Sequence, residues 1–264
     1  MADKPVGQRN APVEGVDEQV LNEYGQQYFE NYNYADRPLS KYSMYWFARR
    51  YYAALVQRYA PSNDGKLLEM GCGLGHLLGF LQDDFDCVGI DLAAYSIEQT
   101  QKNAPKATAM VMSADDLSAF SDEEFSVVIA LHLVEHLPKP DETIKAINRI
   151  LVDDGLWLFA TPNPDYSLRR FKNKKTDAIG KDPTHINVHP PQQWREWTEA
   201  AGFKMLRHFG DGLWDVPYLP LIPAKLQFGL FGMPALFQVL TRTTWTPLRF
   251  GVNQIGIAQK TKPI

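Results

Sequence analysis

The sequence predicts a doubly wound α/β fold, in which helices cover both faces of a mostly parallel sheet. From Lys66 onward, short apolar runs typical of strands alternate with segments of helical spacing, and this alternation is typical of a covered parallel sheet. A glycine-rich turn directly follows the first strand, where this class of fold binds its ligand. With 264 residues and 45% hydrophobic content, the chain can bury one sizeable core.

Seven strands follow from apolar runs bounded by turn residues. They are KLLEM at 66–70, DCVGID at 86–91, the start of ATAMVMSADDL at 107–117, FSVVIAL at 125–131, GLWLFAT at 155–161, FKMLRHF at 203–209 and NQIGIAQK at 253–260. The fourth run is continuously apolar, as expected for a strand covered on both faces.

Helices are predicted between these strands. They run from Ser40 to the end of the aromatic-rich segment, from near Gly75, over 93–103, over 141–151, and over 190–203 with Gly202 ending the last one.

The chain divides into three predicted parts. Residues 1–22 are polar and without periodicity, which predicts a flexible tail. Residues 23–62 are rich in aromatic side chains, which either pack on a core or close as a lid over a flat ligand. Residues 63–264 form the main domain.

Charge and composition exclude several classes of function. A net charge of -4 and a pI near 5.9 do not suggest a partner nucleic acid. The two cysteines, Cys72 and Cys87, have no zinc-like spacing and are expected to be small apolar fillers. The polar start of the chain has no apolar leader, and no run is apolar for long enough to cross a membrane, so we expect a cytoplasmic protein.

The stretch EMGCGLGH at 69–76 narrows the choice of ligand. Gly71, Gly73 and Gly75 allow a sharp turn and a close approach of the backbone to a ligand. A dinucleotide turn places glycine three residues after Gly73, where this chain has His76. A triphosphate loop ends in lysine and a hydroxyl residue, and neither is present. A nucleoside sulfonium remains, and an NAD-dependent oxidoreductase is kept as the alternative.

Taken with Asp91 at the end of the second strand and the stretches SADDL, ALHLVEHLPKP and ILVDDGLWLFATPN, this turn resembles class I S-adenosylmethionine-dependent methyltransferases. The last of these stretches resembles the turn and fifth strand of their ubiquinone-biosynthesis-like, small-molecule branch. The resemblance to the family covers residues 66 to about 209 and the last strand. It implies a Rossmann-like, seven-stranded, mostly parallel sheet with the last strand antiparallel, a helical and aromatic cap, and S-adenosylmethionine as cofactor.

The resemblance also implies which residues bind the cofactor. Asp91 would accept hydrogen bonds from the ribose hydroxyls, the acidic adenine-side position falls on Ser113 with Asp115 two further on, and a backbone carbonyl near His132 would face the methionine amine. Glu69 is expected to support the glycine turn through its backbone N–H groups. The full set is Glu69, Gly71, Gly73, Gly75, Asp91, Leu92, Ser113, Ala114, Asp115 and His132.

Three histidines are candidates for proton handling or acceptor binding. His185 and His189 lie in DPTHINVHPPQQW, on the loop that leaves the fifth strand, and His136 lies on the loop after the fourth. Asp182 with His185 and His189 could in principle bind a divalent metal, but two prolines follow and helical spacing is not assured. We therefore expect no metal.

Two insertions, 163–190 and 211–250, exceed the minimal fold and are expected to select the acceptor. The first carries a basic run that is either a solvated face or a contact for phosphate or an anionic membrane: Arg169, Arg170, Lys172, Lys174 and Lys175. The second is rich in Trp, Phe and Leu. It could be a lid, an apolar acceptor pocket, a dimer surface or an interfacial anchor.

These observations predict methyl transfer from S-adenosylmethionine to a hydroxyl, less favourably an amine, of a small or lipid-linked metabolite such as a sugar, phenol or polyketide-like acceptor. Residues 211–250 could add a peripheral contact with the inner membrane surface. A module that binds cofactor or docks to a membrane without catalysis is a further alternative. The sequence does not predict the oligomeric state.

Overall fold

A computed structural model describes residues 40–173 and 176–261. The predicted tail and the part of the aromatic-rich segment before Ser40 lie outside the described residues, as do Lys174 and Lys175 of the basic run. In the described part of the chain, no helix has both the length and the apolar character needed to cross a membrane.

Seven strands form one sheet in the order β3-β2-β1-β4-β5-β7-β6. Their bounds are β1 Lys66–Met70, β2 Asp86–Asp91, β3 Thr108–Val111, β4 Phe125–Leu131, β5 Leu151–Pro162, β6 Phe203–Gly210 and β7 Asn253–Lys260. β1 to β5 pair in parallel, whereas β7 is antiparallel to both of its neighbours, β5 and β6. The predicted Rossmann-like sheet with an antiparallel last strand is confirmed.

One strand begins earlier than predicted. β5 starts at Leu151, which pairs with Phe125, and the register then shifts before Val127 pairs with Leu156. Asp154 has a φ of 62°, so the polar stretch before Leu156 bulges inside the strand.

Helices pack on both faces of this sheet. They are α1 Met44–Tyr59, α2 His76–Leu81, α3 Ala94–Asn103, α4 Pro140–Ile150, α5 Ala178–Lys181, α6 Pro191–Ala200, α7 Ala224–Gln227 and α8 Met233–Thr241. Single turns of 3₁₀ helix span Val134–His136, Arg169–Phe171 and Leu248–Phe250, and a π-helical turn, Phe228–Gly232, joins α7 to α8. α1 begins after the predicted Ser40 because the Ser43 side chain caps it by accepting from the Trp46 N–H.

The core has one layer on each face of the sheet. On one face, Leu55 and Val56 of α1 pack with Leu77 and Leu78 of α2. On the other, the rings of Trp157 and Phe159 stack with centroids 4.5 Å apart, within the cluster that also holds Trp194 of α6. The described helical part of the aromatic-rich segment therefore packs on the core, while Tyr28 to Tyr34 lie outside the described residues.

The contact between Gly256 of β7 and Phe159 of β5 gives the first prediction. The two residues are register partners, and a Cβ on Gly256 would lie 2.1 Å from Phe159 Cε1. Gly256→Ala should lower the free energy of unfolding by about 1–3 kcal/mol, because the buried ring has to shift. Urea denaturation measures it against Gly229→Ala, whose Cβ would meet nothing within 4 Å. Equal stability of the two variants would contradict this account.

Candidate active site

The turn between β1 and α2 requires glycine at each alternate position. Gly71, Gly73 and Gly75 have φ values of 66°, 52° and 71°, which residues other than glycine rarely adopt. A Cβ on Gly71 would lie 3.0 Å from Leu133 Cδ1, and one on Gly75 would lie 2.7 Å from the Thr100 Cα. The turn therefore brings bare backbone to the crevice between β1 and β4, where strand order reverses and ligands bind in such sheets.

Asp91 fixes this turn from the end of β2. Its Oδ2 accepts from the Gly73 N–H and its Oδ1 from the Ala93 N–H, each at 2.9 Å. Burial raises the pKa of this carboxyl, although the two N–H donors oppose that shift. Each oxygen keeps a second lone pair, so the carboxylate can still accept from a diol. Leu92 follows it, half-buried, at the same edge.

Glu69 has partners other than the predicted ones. Its side chain is buried, and its carboxylate accepts from the backbone N–H of Leu78 in α2, with the Arg49 guanidinium of α1 nearby. Burial raises the pKa of Glu69 to about 8, and the charge of Arg49 opposes this. The prediction that Glu69 supports the turn through the turn's own N–H groups is therefore corrected. Glu69 is directed toward the first turn of α2, whose N–H groups lack helical partners.

The loop after β3 lies beside Asp91. The Met112 N–H donates to the Asp91 carbonyl at 3.0 Å, and Ala114 is buried two residues later. Ser113 Oγ accepts from the Asp115 N–H at 3.2 Å. Partial burial raises the pKa of Asp115, and the hydrogen bond from Ser113 opposes this. Ser113 and Asp115 thus share one tight turn.

The loop after β4 forms the opposite wall. His132 has a φ of 54° and donates its backbone N–H to the Ala160 carbonyl of β5 at 2.8 Å. Leu133 then lies against Gly71. The His132 side chain is 43% exposed, with Nδ1 3.7 Å from Glu135 Oε1.

A cluster of Glu135, His136 and His185 lies behind His132. One potential ligand atom from each of the three side chains lies within 4.8 Å of the others, and the two imidazole centroids are 4.9 Å apart. The backbone creates this contact, because the N–H groups of Ile186 and Asn187 both donate to the Glu135 carbonyl, at 3.1 and 2.9 Å. We call these three residues the Glu-His-His cluster.

The hydrogen bonds of the two imidazoles define their tautomers. His136 Nδ1 lies 3.1 Å from the Thr184 carbonyl, and His185 Nδ1 lies 3.0 Å from the Ile179 carbonyl. The Thr184 hydroxyl also lies 3.0 Å from His136 Nδ1, but it donates its hydrogen to Asp182 Oδ1 and can only accept here. Because a carbonyl only accepts, both Nδ1 atoms carry hydrogen and both Nε2 atoms carry a lone pair. Burial lowers the pKa of His136, the negative charge of Glu135 opposes this, and the neighbouring His185 lowers the pKa further.

His189 lies apart from this cluster. Its Nε2 is 3.1 Å from Asn187 Oδ1, its ring centroid is 4.9 Å from that of Trp197, and its carbonyl accepts from Gln254. The trio of Asp182, His185 and His189 does not assemble in the described structure, although Asp182 Oδ2 lies 3.9 Å from His185 Nε2.

Sequence reasoning missed two buried acids at this site. Glu135 directly precedes His136 and is three residues after His132, so its place in a one-turn helix was a usable signal. Asp211 accepts from both N–H groups of Asn253, and burial raises its pKa to about 6 while the charge of His132 lowers it. No local motif surrounds Asp211.

The stretch that carries this crevice, residues 45–208, matches the family model described as a methyltransferase domain. The chain belongs to that family. It is an S-adenosylmethionine-dependent methyltransferase of class I. This membership sets aside the alternative of an NAD-dependent oxidoreductase.

Similar proteins include two O-methyltransferases. The malonyl-acyl-carrier-protein O-methyltransferase of Paenibacillus sp. is 28% identical over 159 residues, which are 55% of this chain and 57% of that protein. The ubiquinone biosynthesis O-methyltransferase of Chromobacterium violaceum is 26% identical over 170 residues, 60% of this chain and 69% of that protein. The stretch shared with the Paenibacillus protein is less than two thirds of that protein's length.

A solved structure supports the fold. The S-adenosylmethionine-dependent methyltransferase from Thermotoga maritima superimposes with a TM-score of 0.57 at 18% identity, covering 93% of this chain and 97% of that one. At this identity the likeness establishes the shared fold.

The contacts of Asp91 give the second prediction. Asp91→Ala should weaken binding of S-adenosylhomocysteine to the methyltransferase at least tenfold, since a charged hydrogen bond contributes about 1.5–3 kcal/mol. Isothermal titration calorimetry measures the affinity. Asp86→Ala, an exposed acid at the other end of the same strand, is the control and should bind as the parent does. Unchanged affinity in folded Asp91→Ala protein would contradict the assignment of Asp91 as a cofactor-binding residue.

Proposed function

We propose that the methyltransferase transfers a methyl group to a hydroxyl oxygen of a small or lipid-linked acceptor, such as a sugar, phenol or polyketide-like metabolite. The observation that carries the proposal is the Glu-His-His cluster, which begins two residues after the Leu133 that lies against Gly71. A hydroxyl has a proton to lose, and imidazole and carboxylate groups can handle it. Both similar curated proteins are named O-methyltransferases, which favours oxygen over nitrogen.

The residues of the crevice fit the cofactor. The turn at Gly71, Gly73 and Gly75 leaves room that side chains would fill, and Asp91 retains acceptor capacity for the ribose hydroxyls. In the proposed arrangement the Ser113–Asp115 turn borders the adenine and the backbone at His132 faces the methionine end. S-adenosylmethionine supplies an electrophilic methyl group on a sulfonium sulfur. Glu69 adds an acidic wall behind the turn.

The acceptor oxygen is held by the cluster in this proposal. His136 and His185 are fixed through Nδ1 by backbone carbonyls, so their Nε2 lone pairs have defined directions. They position the acceptor hydroxyl and promote the loss of its proton. His189, held among Asn187, Trp197 and Gln254, supports the loop that carries His185.

The third prediction concerns both the product and His185. With radiolabelled S-adenosylmethionine and a metabolite extract as acceptor source, the labelled product should be an alkali-stable ether. His185→Ala should lose about 100-fold or more in initial rate, which is the usual size of a proton-handling contribution. Its affinity for S-adenosylhomocysteine should be unchanged. His189→Ala should lose less.

A matched control is His208→Ala, since His208 pairs with Gln254 between β6 and β7, away from the cluster. An N-methyl product, or a base-labile ester that releases methanol, would refute transfer to a hydroxyl. A loss of cofactor affinity in His185→Ala would indicate a structural role instead.

The two insertions pack together on the acceptor side. They share a small core that includes Tyr166 and Ile179 of the first and Leu213 and Tyr218 of the second. Part of the basic run is committed to this packing: the Lys172 side chain is 1% exposed and Nζ lies 3.0 Å from Asp215 Oδ2. Arg169 pairs with Asp177. These described members of the run are internal ion pairs rather than an open phosphate site.

In the helical part of the second insertion, polar side chains are buried and apolar side chains are exposed. Its buried side carries Gln227 and Gln238, which hydrogen-bond to backbone groups of Tyr218, Gly210 and Thr246 among others. Its exposed side carries an apolar stripe at helical spacing, with exposures of 67%, 67%, 50%, 58% and 51% for Leu226, Leu230, Met233, Phe237 and Leu240. Exposed apolar patches of this kind mark interaction surfaces.

The charge around this apolar stripe favours an anionic lipid surface as its partner. The sequence contains no acidic residue from 216 to 264, while Lys225, Arg242 and Arg249 are exposed beside the stripe. An apolar helix face flanked by basic residues is the pattern of an interfacial helix. We therefore extend the proposal to a peripheral membrane contact, which suits a lipid-linked acceptor.

The fourth prediction tests this contact with lipid vesicles. The parent should co-sediment with phosphatidylcholine vesicles that contain phosphatidylglycerol, and less with phosphatidylcholine alone. The double variant Leu230→Glu, Phe237→Glu should bind at least about tenfold more weakly, because each side chain contributes about 1.5–3 kcal/mol when buried.

Met44→Glu is the matched control. Met44 is 52% exposed, but it lies at the start of α1. The other end of α1 is the end that contacts the second insertion, because the Arg58 side chain donates to the Arg242 carbonyl. Equal binding of parent and double variant would refute the membrane contact. A parent dimer by light scattering that the double variant loses, without vesicle binding, would make the stripe an interface between copies.

A further inference from the structure

The Glu135 side chain is a buried acid beside the imidazoles of His132, His136 and His185. Its exposure is 0%, and neither carboxylate oxygen has a hydrogen-bond partner among the residues that the structure describes. The nearest basic group, His132 Nδ1, is 3.7 Å away on a partly exposed side chain. Burying an unpaired charge is strongly unfavourable, and buried charges are normally paired or coordinate a metal.

The two imidazoles of the cluster are arranged as metal ligands usually are. A ligating histidine donates its second ring N–H to a carbonyl or carboxylate, which fixes the tautomer and the ring orientation. His136 and His185 both do this through Nδ1, toward the carbonyls of Thr184 and Ile179. Each then carries its lone pair on Nε2, in a group whose ligand atoms lie within 4.8 Å of Glu135.

We propose that Glu135, His136 and His185 bind one divalent transition-metal ion, such as Zn²⁺ or Mn²⁺, on the acceptor side of the cofactor crevice. Two imidazoles with one carboxylate suit these ions, whereas Mg²⁺ and Ca²⁺ prefer oxygen ligands alone. The site departs from the sequence expectation of no metal. It also differs from the trio considered there, since Asp182 and His189 are replaced by Glu135 and His136 from the loop after β4.

The backbone already holds the three ligands in place. The Glu135 carbonyl accepts from Ile186 and Asn187, and the Asn187 side-chain amide donates to the Leu137 carbonyl at 2.5 Å. These bonds join the loops after β4 and β5 on either side of the cluster. A set of three protein ligands leaves at least one coordination position for water or an acceptor oxygen.

The chemical role of the ion rests on the proposed function, whereas its binding does not. A cation beside the acceptor oxygen lowers the pKa of a hydroxyl. With the ion bound, the Nε2 lone pairs of His136 and His185 belong to the metal, so the imidazoles act on the acceptor hydroxyl through the ion. The hydroxyl proton passes to solvent, and the oxygen is left as the stronger nucleophile for the methyl carbon.

Cation binding is tested on the full chain after removal of metals with EDTA. Titration calorimetry with Zn²⁺, Mn²⁺ and Mg²⁺ should show one equivalent of Zn²⁺ or Mn²⁺ bound, and much weaker binding of Mg²⁺. Glu135→Gln and His185→Ala should each weaken the affinity about 100-fold or more. His208→Ala, which removes an imidazole outside the cluster, should leave the affinity unchanged.

Thermal unfolding gives a second readout that does not depend on the acceptor. Without metal, Glu135→Gln should unfold at a higher temperature than the parent, because it removes an unpaired buried charge. With Zn²⁺, only the parent should gain stability. Absence of a bound equivalent in the parent, or parental affinity in folded Glu135→Gln or His185→Ala, would overturn the site.

The metal site and the proposed function fail in different ways. A protein that forms the ether product at full rate in EDTA, without binding a cation, retains the function and loses the metal site. A protein that binds one cation but methylates only nitrogen retains the metal site and loses the function.

Discussion

The carboxylate of Asp91 connects the two strand ends on which the cofactor crevice depends. It accepts from the N–H of Gly73 after β1 and from the N–H of Ala93 after β2. A backbone N–H left buried without a partner costs about as much as a lost hydrogen bond, so the left-handed turn needs this acceptor. Because α2 begins directly after Gly75, the same carboxylate also holds the turn from which α2 starts.

The opposite wall depends on a second residue with two roles. The Glu135 backbone carbonyl joins the loop after β4 to the loop after β5 by accepting from Ile186 and Asn187. Its side chain, on the same short helical turn, places a buried carboxyl group within 4.8 Å of ring nitrogens of His136 and His185. Geometry and electrostatics are thereby coupled, because a change that moves this turn also moves the carboxyl group.

The strands and the glycine turn were predictable because their signals are local in sequence. Each strand is an apolar run, and the three glycines of the turn, Gly71, Gly73 and Gly75, lie within five consecutive residues. The start of β5 was missed because Asp153 and Asp154 are polar and form a bulge. The cluster could not be derived, since His136 and His185 are far apart in sequence and meet only through the backbone bonds of Glu135. The prediction for Glu69 was wrong. Arg49, whose guanidinium lies near the Glu69 carboxylate, comes from a helix outside the motif.

The antiparallel last strand decides where the second insertion lies. β6 runs in the same direction as β5, since both are antiparallel to β7, so β6 ends at Gly210 on the carboxyl edge of the parallel strands. β7 starts from that edge at Asn253, and the insertion between them must emerge there. Asp211 lies at this edge, where its carboxylate accepts from the backbone and side-chain N–H groups of Asn253, the first residue of β7. The insertion therefore emerges at the same edge of the sheet as the Glu-His-His cluster, which is the placement that the proposed contact with a lipid-held acceptor requires.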